Sequence, residues 1–412
     1  MNYAIAQTAC RACGGQLGAS FCELGSMAVS NSYLAPDADL DAEARFPLHA
    51  VVCDACRLVQ LDTIVDARGI FSDYAYFSSA SASWLAHARH FCDAMTERLA
   101  LDHDSLVIEV ASNDGYLLRN FVAAGIPCLG IEPAANVAEV ARAHGVPTEV
   151  AFLGRDSAAA LVRQLGRHAN LVIANNVLAH VPDVNDFIAG LAQLAGAHGM
   201  VSIEAPQLLT LVDGVQFDTI YHEHYAYWSL LAMERALARH GLYVVDLERL
   251  PTHGGSMRVL ACATPMVLPS DRVRSLRAEE AARGLDNDAF YAGFDQRVKA
   301  VLEGFRSWLS ASHAAGKRIA AYGAAAKGNT FLNAAGTGAG DILAVADRSP
   351  GKIGRLLPGS HIPVLTPEAM LALAPDCILI LPWNIADEIV TLLRTAGFHG
   401  ELVTAVPELR YY

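Results

Sequence analysis

The densest group of titratable side chains in the sequence lies in the segment YHEHYAYWS, residues 221–229. Three tyrosines, two histidines and one glutamate lie between Tyr221 and Tyr227. Histidine can take a proton near neutral pH, and tyrosine can donate a hydrogen bond to an oxygen that gains charge. The composition of the segment therefore indicates acid–base chemistry, with metal binding or a structural polar corner as the alternatives.

The metal alternative requires the segment to be an extended strand. Residues two apart in a strand point to the same side, so His222 and His224 would face one ion. A catalytic ion would need a third ligand, and the spacing is not that of the helical His-Glu-x-x-His motif. Acid–base chemistry is the favoured interpretation, although a structural role is favoured for His222 and Tyr227.

Two Cys-x-x-Cys pairs lie near the amino terminus, Cys10 with Cys13 and Cys53 with Cys56. Four thiolates in two such turns are typical of a tetrahedral zinc site, and a redox pair is the alternative. The five other cysteines lie among apolar neighbours and are predicted to be core thiols. Because four protein ligands leave no open position for a substrate, the predicted Zn²⁺ is structural.

Composition limits the class of protein. The chain has 412 residues, of which 53% are hydrophobic, so it can form two or three domains with cores. A net charge of −13 argues against nonspecific binding to nucleic acid or to an anionic membrane. The sequence shows neither an apolar run of about 20 residues nor a signal-peptide pattern at its start, so we expect a cytoplasmic protein.

The pattern along the chain predicts an α/β protein in three parts, residues 1–70, 71–265 and 266–412. The first part is a small module that depends on its metal ion. In the second, the strands SLVIEV, CLGIE, ANLVIAN and GMVSIE alternate with helices, which predicts a parallel doubly wound sheet followed by a hairpin. The third begins with charged helical sequence and continues as a second α/β unit.

Polar residues follow the strands of the predicted central sheet. Asn113, Asp114 and Gly115 form a turn after the first strand, and Glu132 follows the second. Ligands of such sheets bind beyond the carboxyl ends of the strands. The turn lacks the G-x-G-x-x-G pattern, which disfavours a dehydrogenase, and Glu132 stands where an acid would accept hydrogen bonds from a ribose. The third strand brings Asn175, Asn176 and His180 to the same edge.

The turn EVASNDG resembles that of the S-adenosylmethionine-dependent methyltransferases, which have a Rossmann-like class I fold. The resemblance implies that the methionine part of the cofactor is held by this turn, and that Glu132, followed by Pro133, holds the ribose. The turn residues implied are Glu109, Ala111, Asn113, Asp114 and Gly115. Ala111 stands where many methyltransferases have glycine, so its methyl group would lie close to the cofactor.

The order of motifs along nearly the whole chain resembles the sugar C-methyltransferases that act on nucleotide-linked keto-deoxysugars. The motifs are the paired cysteines, YAYFSS, EVASNDGYLL, GIEPAANVA, ANNVLAHVPD, YHEHYAYWS, HGGSMRV, YGAAAKGNTFLN and LPWN. The resemblance implies S-adenosylmethionine and structural zinc as cofactors, a nucleotide-linked 4-keto deoxysugar as substrate, and methylation at C3. It also implies a carboxy-terminal Rossmann-like domain that contributes to substrate binding.

The resemblance also assigns roles in the chemistry. Removing the C3 proton of a 4-keto sugar leaves an enolate with its charge on the C4 oxygen, so the site needs a base and an oxyanion partner. His224 is the implied base, supported by Tyr221 and Glu223, with His180 from the ANNVLAH loop. Tyr76 in YAYFSS is the implied lid or substrate contact.

The segment YGAAAKGNTFLN in the last part follows a predicted strand and precedes a helix. Main-chain amides at a helix start, together with Lys327, can hold an anion. Lys327, Asn329 and Thr330 are therefore candidates for the nucleotide end of the substrate, with a simple packing turn as the alternative. For the whole protein, the alternatives are an O- or N-methyltransferase and a non-catalytic zinc- and nucleotide-binding assembly protein.

Overall fold

The computed structural model describes residues 4–65, 82–264 and 267–412. The predicted contact Tyr76 lies outside the described residues. Within these ranges, no helix is both long enough and apolar enough to cross a membrane.

The amino-terminal module is built on antiparallel strands. Strands β2, β3 and β4 pair in this order, and β1 pairs with β5. Phe21 and Leu48 are fully buried between this sheet and the rest of the protein. The cysteine pairs flank the long β2–β3 hairpin, because Cys13 precedes β2 and Cys53 ends β3. The strands are β1 Ala4–Ala6, β2 Leu17–Ala28, β3 Arg45–Cys53, β4 Val59–Leu61 and β5 Thr63–Val65.

The central unit contains a seven-stranded sheet in the order β12-β13-β10-β9-β6-β7-β8. Strands β6 to β10 of this sheet are parallel, and β13 is antiparallel to both of its neighbours. The predicted parallel sheet and hairpin are therefore confirmed. The strands of this part are β6 Val107–Val110, β7 Cys128–Ile131, β8 Thr148–Glu149, β9 Leu171–Asn175, β10 Met200–Pro206, β11 Ala226–Tyr227, β12 Tyr243–Leu250 and β13 Ser256–Cys262.

The helices of the central unit cover the sheet and begin close to the predicted positions. Asp183 and Ser229 cap two of them, because their side chains accept hydrogen bonds from the amides of Asp186 and Ala232. The helices are Ala82–Leu99, Leu118–Ala123, Ala135–Ala143, Arg155–Leu165, Val184–Ala195, Leu208–Asp213 and Leu230–Ala238.

The carboxy-terminal unit begins with the helices Asp271–Ala282, Asp288–Tyr291 and Phe294–Ala314, as its charged sequence predicted. Its six-stranded sheet has the order β16-β15-β14-β17-β18-β19, with only β19 antiparallel. Its strands are β14 Ile319–Tyr322, β15 Val345–Ala346, β16 Val364–Leu365, β17 Cys377–Ile380, β18 Glu401–Thr404 and β19 Arg410–Tyr411. The remaining helices are Ala326–Ala335, Pro367–Ala372 and Ala386–Thr395.

The segment YHEHYAYWS is not the extended strand that the metal alternative requires. Its first residues form a turn, and only Ala226–Tyr227, strand β11, is extended. Strand β11 pairs with β4 of the amino-terminal module, where Ala226 faces Gln60. Because the chain turns before it enters this sheet, His222 and His224 do not share a side. The assumed strand geometry was therefore wrong.

Candidate active site

The turn after β6 has an unusual backbone conformation. Ala111 and Asn113 have positive φ angles of 54° and 50°, and Gly115 has 76°. The left-handed region costs a residue other than glycine about 1–2 kcal/mol. A Cβ at Gly115 would lie 2.8 Å from a methyl carbon of Val146, so glycine is needed here. The turn therefore folds tightly at the carboxyl edge of the sheet.

Glu132 connects this turn to the end of β7. Its carboxylate accepts hydrogen bonds from the amides of Asn113 and Ala134, both at 2.9 Å. Burial raises the pKa of Glu132 despite these two bonds. Each carboxylate oxygen has a second lone pair, so Glu132 can also accept from a ligand hydroxyl. Pro133, next in the chain, is half-buried at the same edge.

Several buried polar atoms at this edge fit the cofactor. Oε2 of Glu109 and Oδ1 of both Asn175 and Asn176 have no hydrogen-bond partner among the described residues. Burial, and then the charges of Glu132 and Asp114, raise the pKa of Glu109 well above its usual value. Acceptors of this kind suit S-adenosylmethionine, which carries ammonium and sulfonium groups and ribose hydroxyls. The residues present therefore fit the cofactor implied by the motif resemblance.

The four cysteines of the amino-terminal module come together. Their sulfur atoms lie within 4.8 Å of one another, with 3.5 Å between Cys10 and Cys56 and 3.4 Å between Cys13 and Cys53. A tetrahedron with Zn–S bonds of about 2.3 Å has edges of about 3.8 Å. The hydrogen bond between the two sulfurs lowers the pKa of Cys10 and raises that of Cys56, so one thiol of this pair ionises easily and the other keeps its proton. The site fits zinc with all four ligands from the chain.

His224 is half-buried and held through both ring nitrogens. Nδ1 lies 2.8 Å from the carbonyl oxygen of Thr219, and Nε2 lies 2.7 Å from the hydroxyl of Tyr221. A carbonyl only accepts, so this network assigns the proton to Nδ1 and a lone pair to Nε2, which accepts from Tyr221. Burial, followed by the charge of His180, lowers the pKa of His224 well below its usual value. The ring is therefore a neutral base at neutral pH.

His180 lies beside this ring, with 4.6 Å between the ring centroids of His180 and His224. Nδ1 of His180 donates to the main-chain oxygen of Glu223 at 2.7 Å. Burial lowers the pKa of His180 to about 4. The structure therefore brings together His180, Tyr221, Glu223 and His224.

The Glu223 side chain is 1% exposed. Oε1 accepts from the amide of Asn31 at 3.0 Å, and Oε2 has no partner in the part of the chain that the structure describes. Burial raises the pKa of Glu223 to about 7. Asn31 belongs to the loop after β2 and was missed, because an exposed loop asparagine carries no sequence signal for a contact almost 200 residues away.

His222 and Tyr227 have structural surroundings. His222 is fully buried, and its Nε2 lies 3.3 Å from the carbonyl oxygen of Phe46. The hydroxyl of Tyr227 donates to the main-chain oxygen of His224 at 2.9 Å. No group of three potential metal ligands among the described residues includes His222 or His224. The structure therefore gives the metal alternative no support.

Lys327 points to the junction between the central and carboxy-terminal units. Its Nζ donates to the main-chain oxygen of His253 at 3.1 Å and lies 4.9 Å from the ring centroid of Trp383. Trp383 in turn donates through Nε1 to Asp218 at 2.7 Å. Trp383 belongs to the motif LPWN, which was identified in the sequence without a role being assigned to the tryptophan.

Asn329 and Thr330 lie on the same helix as Lys327 but face the amino-terminal module. Both side chains are buried, and both bond to Ser30, at 3.3 Å from the Asn329 amide and 3.0 Å from the Thr330 hydroxyl. These contacts are the ones expected if the segment YGAAAKGNTFLN is a simple packing turn. The role of the three residues in nucleotide binding stays a prediction.

Comparison with known proteins agrees with this architecture. Three family models match the chain: a zinc binding domain over residues 10–71, a methyltransferase domain over 84–247, and a C-methyltransferase C-terminal domain over 251–407. C-methyltransferase NovU from Streptomyces niveus is 35% identical over 405 residues, which cover 97% of this chain and 96% of that protein.

The similarity to solved structures is weaker. Magnesium protoporphyrin IX methyltransferase from Synechocystis PCC 6803, with bound SAH, is 18% identical with a TM-score of 0.34, covering 44% of this chain and 85% of that one. A SAM-dependent methyltransferase from Anabaena variabilis is 13% identical with a TM-score of 0.35, covering 42% and 84%. The family models and the NovU similarity together show that the chain belongs to the S-adenosylmethionine-dependent C-methyltransferases that carry a zinc-binding domain.

Proposed function

We propose that the protein methylates C3 of a nucleotide-linked 4-keto deoxysugar through an enolate. The observation that carries the proposal is the half-buried pair of Tyr221 and His224, in which the Nε2 lone pair of a neutral imidazole meets a hydroxyl at 2.7 Å. Carbon methylation needs a carbon nucleophile, and a base beside an oxyanion donor can generate one next to a ketone. The motif order across the chain supports the sugar substrate.

His224 takes the C3 proton at Nε2, and the electrons of the C3–H bond move to the C4 oxygen. The single lone pair of Nε2 must be free to take this proton, so the Tyr221 hydroxyl turns from Nε2 to the C4 oxygen when substrate binds and then donates to the enolate oxygen. Proton removal and oxyanion stabilisation are thereby linked in one pair of side chains. S-adenosylmethionine, when bound, supplies the electrophilic methyl group that C3 attacks.

Glu223 and His180 orient the sugar in this proposal. Oε2 of Glu223 is buried and accepts a sugar hydroxyl or amino group, while Oε1 stays on Asn31. The bond from His180 to the main-chain oxygen of Glu223 holds the His180 ring beside that of His224. Lys327, in the first turn of helix Ala326–Ala335, provides a cation for the nucleotide end, and the buried Asn329 and Thr330 hold that helix against Ser30. Tyr76 is a further proposed substrate contact.

Incubation with S-adenosylmethionine and a panel of nucleotide-linked 4-keto deoxysugars tests the proposal. We expect one sugar to gain the mass of one methylene group, and a substrate deuterated at C3 to lose its label. The matched control is the same nucleotide sugar reduced to an alcohol at C4, which cannot form the enolate and should not react. A methyl group on oxygen or nitrogen, or full retention of the deuterium, would reject the enolate route.

A further inference from the structure

Arg11 lies inside the first cysteine pair, between Cys10 and Cys13, but its side chain reaches into the central unit. Nη1 donates to the main-chain oxygen of Val181 at 3.1 Å and lies 3.4 Å from that of Pro182. Nη2 donates to the main-chain oxygen of Tyr225. One guanidinium thus holds two chain segments that are separate in the sequence.

Each segment carries one histidine of the proposed reaction centre, the cluster of His180, Tyr221, Glu223 and His224. Each histidine directly precedes a residue whose carbonyl accepts a hydrogen bond from Arg11. Val181 follows His180, and Tyr225 follows His224. The two segments also bond to each other, because the Tyr225 amide donates to the carbonyl of Ala179 at 2.7 Å. Arg11 therefore binds both segments whose packing determines the relative position of the His180 and His224 rings.

Arg11 is itself fixed on both sides. Its main-chain amide and Nε both donate to Oε1 of Gln60, at 3.1 and 3.3 Å, and its carbonyl accepts from the Asn185 amide at 2.6 Å. The turn around it is closed by the bond from the Gly14 amide to the Cys10 carbonyl at 2.8 Å. A side chain held this way transmits the position of the cysteine turn rather than moving independently.

We infer that Arg11 is a positioning residue, through which the zinc-binding turn sets the geometry of His180 and His224. The inference rests on the proposed function in taking these two histidines as reacting groups. A small displacement of a base from its substrate is enough to lower a rate by about a hundredfold. The metal site, although closed to substrate, would then act on catalysis through one arginine.

Arg11→Gln is the test variant, and Arg57→Gln is its matched control. Arg57 also adjoins a cysteine of the metal site, Cys56, but it donates to Asp286 and Asp288, at 3.0 and 2.6 Å. Hydrogen exchange followed by mass spectrometry reads the local effect without any substrate. We expect peptides covering residues 177–185 and 220–228 to exchange faster in Arg11→Gln and at the wild-type rate in Arg57→Gln, with zinc content unchanged in both.

Turnover gives the second measurement. We expect Arg11→Gln to lower kcat by about ten- to a hundredfold with unchanged affinity for S-adenosylhomocysteine, and Arg11→Lys to recover part of the loss because one ammonium can still reach one carbonyl.

Unchanged exchange in both peptide groups would overturn the inference. Loss of zinc in Arg11→Gln would also overturn it, since Arg11 would then serve the metal site itself. Absence of turnover in the wild type with every 4-keto sugar would reject the proposed function, and the exchange data would still decide the role of Arg11.

Discussion

The proposed cofactor crevice and the proposed reaction centre lie in the same unit but are built in different ways. The crevice comes from one sheet: the turn after β6, Glu132 after β7, and Asn175 and Asn176 at the end of β9. The reaction centre needs other parts of the chain, because Asn31 holds Glu223 from the amino-terminal module. Cofactor binding should therefore survive changes in the module that disable the chemistry.

Burial shifts the pKa of carboxyl groups and of imidazoles in these regions in opposite directions. Desolvation raises the pKa of the carboxyl groups Glu109 and Glu132, and it lowers the pKa of the imidazoles of His180 and His224. In each case the charged form is disfavoured. A bound cation can restore the charge of a crevice carboxylate, whereas an imidazole kept neutral is ready to accept a proton.

Loss of the metal site should have the largest effect: it should abolish turnover and leave cofactor binding intact. Cys53→Ser removes one of four thiolates, so we expect bound zinc to fall from about one per chain to none and turnover to be lost. Binding of S-adenosylhomocysteine should remain, since no crevice residue belongs to the module. Metal analysis and calorimetry measure the two effects. Cys262→Ser, a buried thiol outside the metal site, is the control and should keep its zinc; zinc retained in Cys53→Ser would contradict the assignment.

Replacing the proposed base should affect the chemistry alone. His224→Asn keeps a similar size but removes the base, so we expect turnover to fall by about 10²–10⁴-fold while cofactor affinity persists. His222→Asn is the matched control and should cost much less, because the His222 ring bonds to the main chain at Phe46 and not to Tyr221. Steady-state rates for both variants check the difference. Near-normal turnover in His224→Asn would show that the base has been misplaced.

A change in the crevice should have the converse effect. Glu132→Ala removes the carboxylate that bonds to two amides and, as the motif resemblance implies, to the ribose, so we expect S-adenosylhomocysteine binding to weaken by about 1–3 kcal/mol. A ribose contact is equal in the ground and transition states, so turnover at saturating cofactor should change little. Titration calorimetry measures the affinity. Equal affinity in the variant and the wild type would remove Glu132 from the site.

The smallest expected effect is in the pH dependence of kcat/KM, which Glu223 should influence. Its pKa is raised to about 7, so the group is neutral below that pH and an anion above it. An ionised carboxylate accepts a sugar hydroxyl more strongly, and kcat/KM should rise as the pH increases through about 7. Glu223→Gln stays neutral throughout and should lack this inflection. A profile that keeps the same inflection in Glu223→Gln would assign it to another group.

Regular elements were predictable from the sequence because their patterns are local. Strands β6, β7, β9 and β10 and the hairpin that ends at Cys262 lie within about two residues of the expected positions, since alternation and flanking turns mark them, whereas the two-residue strand β8 was not predicted. The four-cysteine cluster was predictable for the same reason, because each pair has a fixed spacing. Short strands such as β16, with two residues, give too little pattern to detect.

The parts that the sequence did not predict depend on contacts between distant segments. The turn at His222 forms because the chain next joins β4 as strand β11, and two residues of strand carry no signal of that partner. Asn31 and Arg11 are ordinary polar residues until the fold places Glu223 and Tyr225 beside them. Lys327 was predicted as an anion ligand, but its contacts with His253 and Trp383 required the packing of two units.

The pairing of Ala226 with Gln60 also bears on the order in which the protein folds. The crevice pairs strands that lie within about 65 residues of one another, such as Val107 with Leu171, so less chain must be brought together there. Strand β11 must instead find β4 across most of the central unit, so its loop closes late. We therefore expect a newly made chain to gain the ability to bind its cofactor before the histidines reach their places. A folding intermediate of this protein would hold the methyl donor without being able to use it.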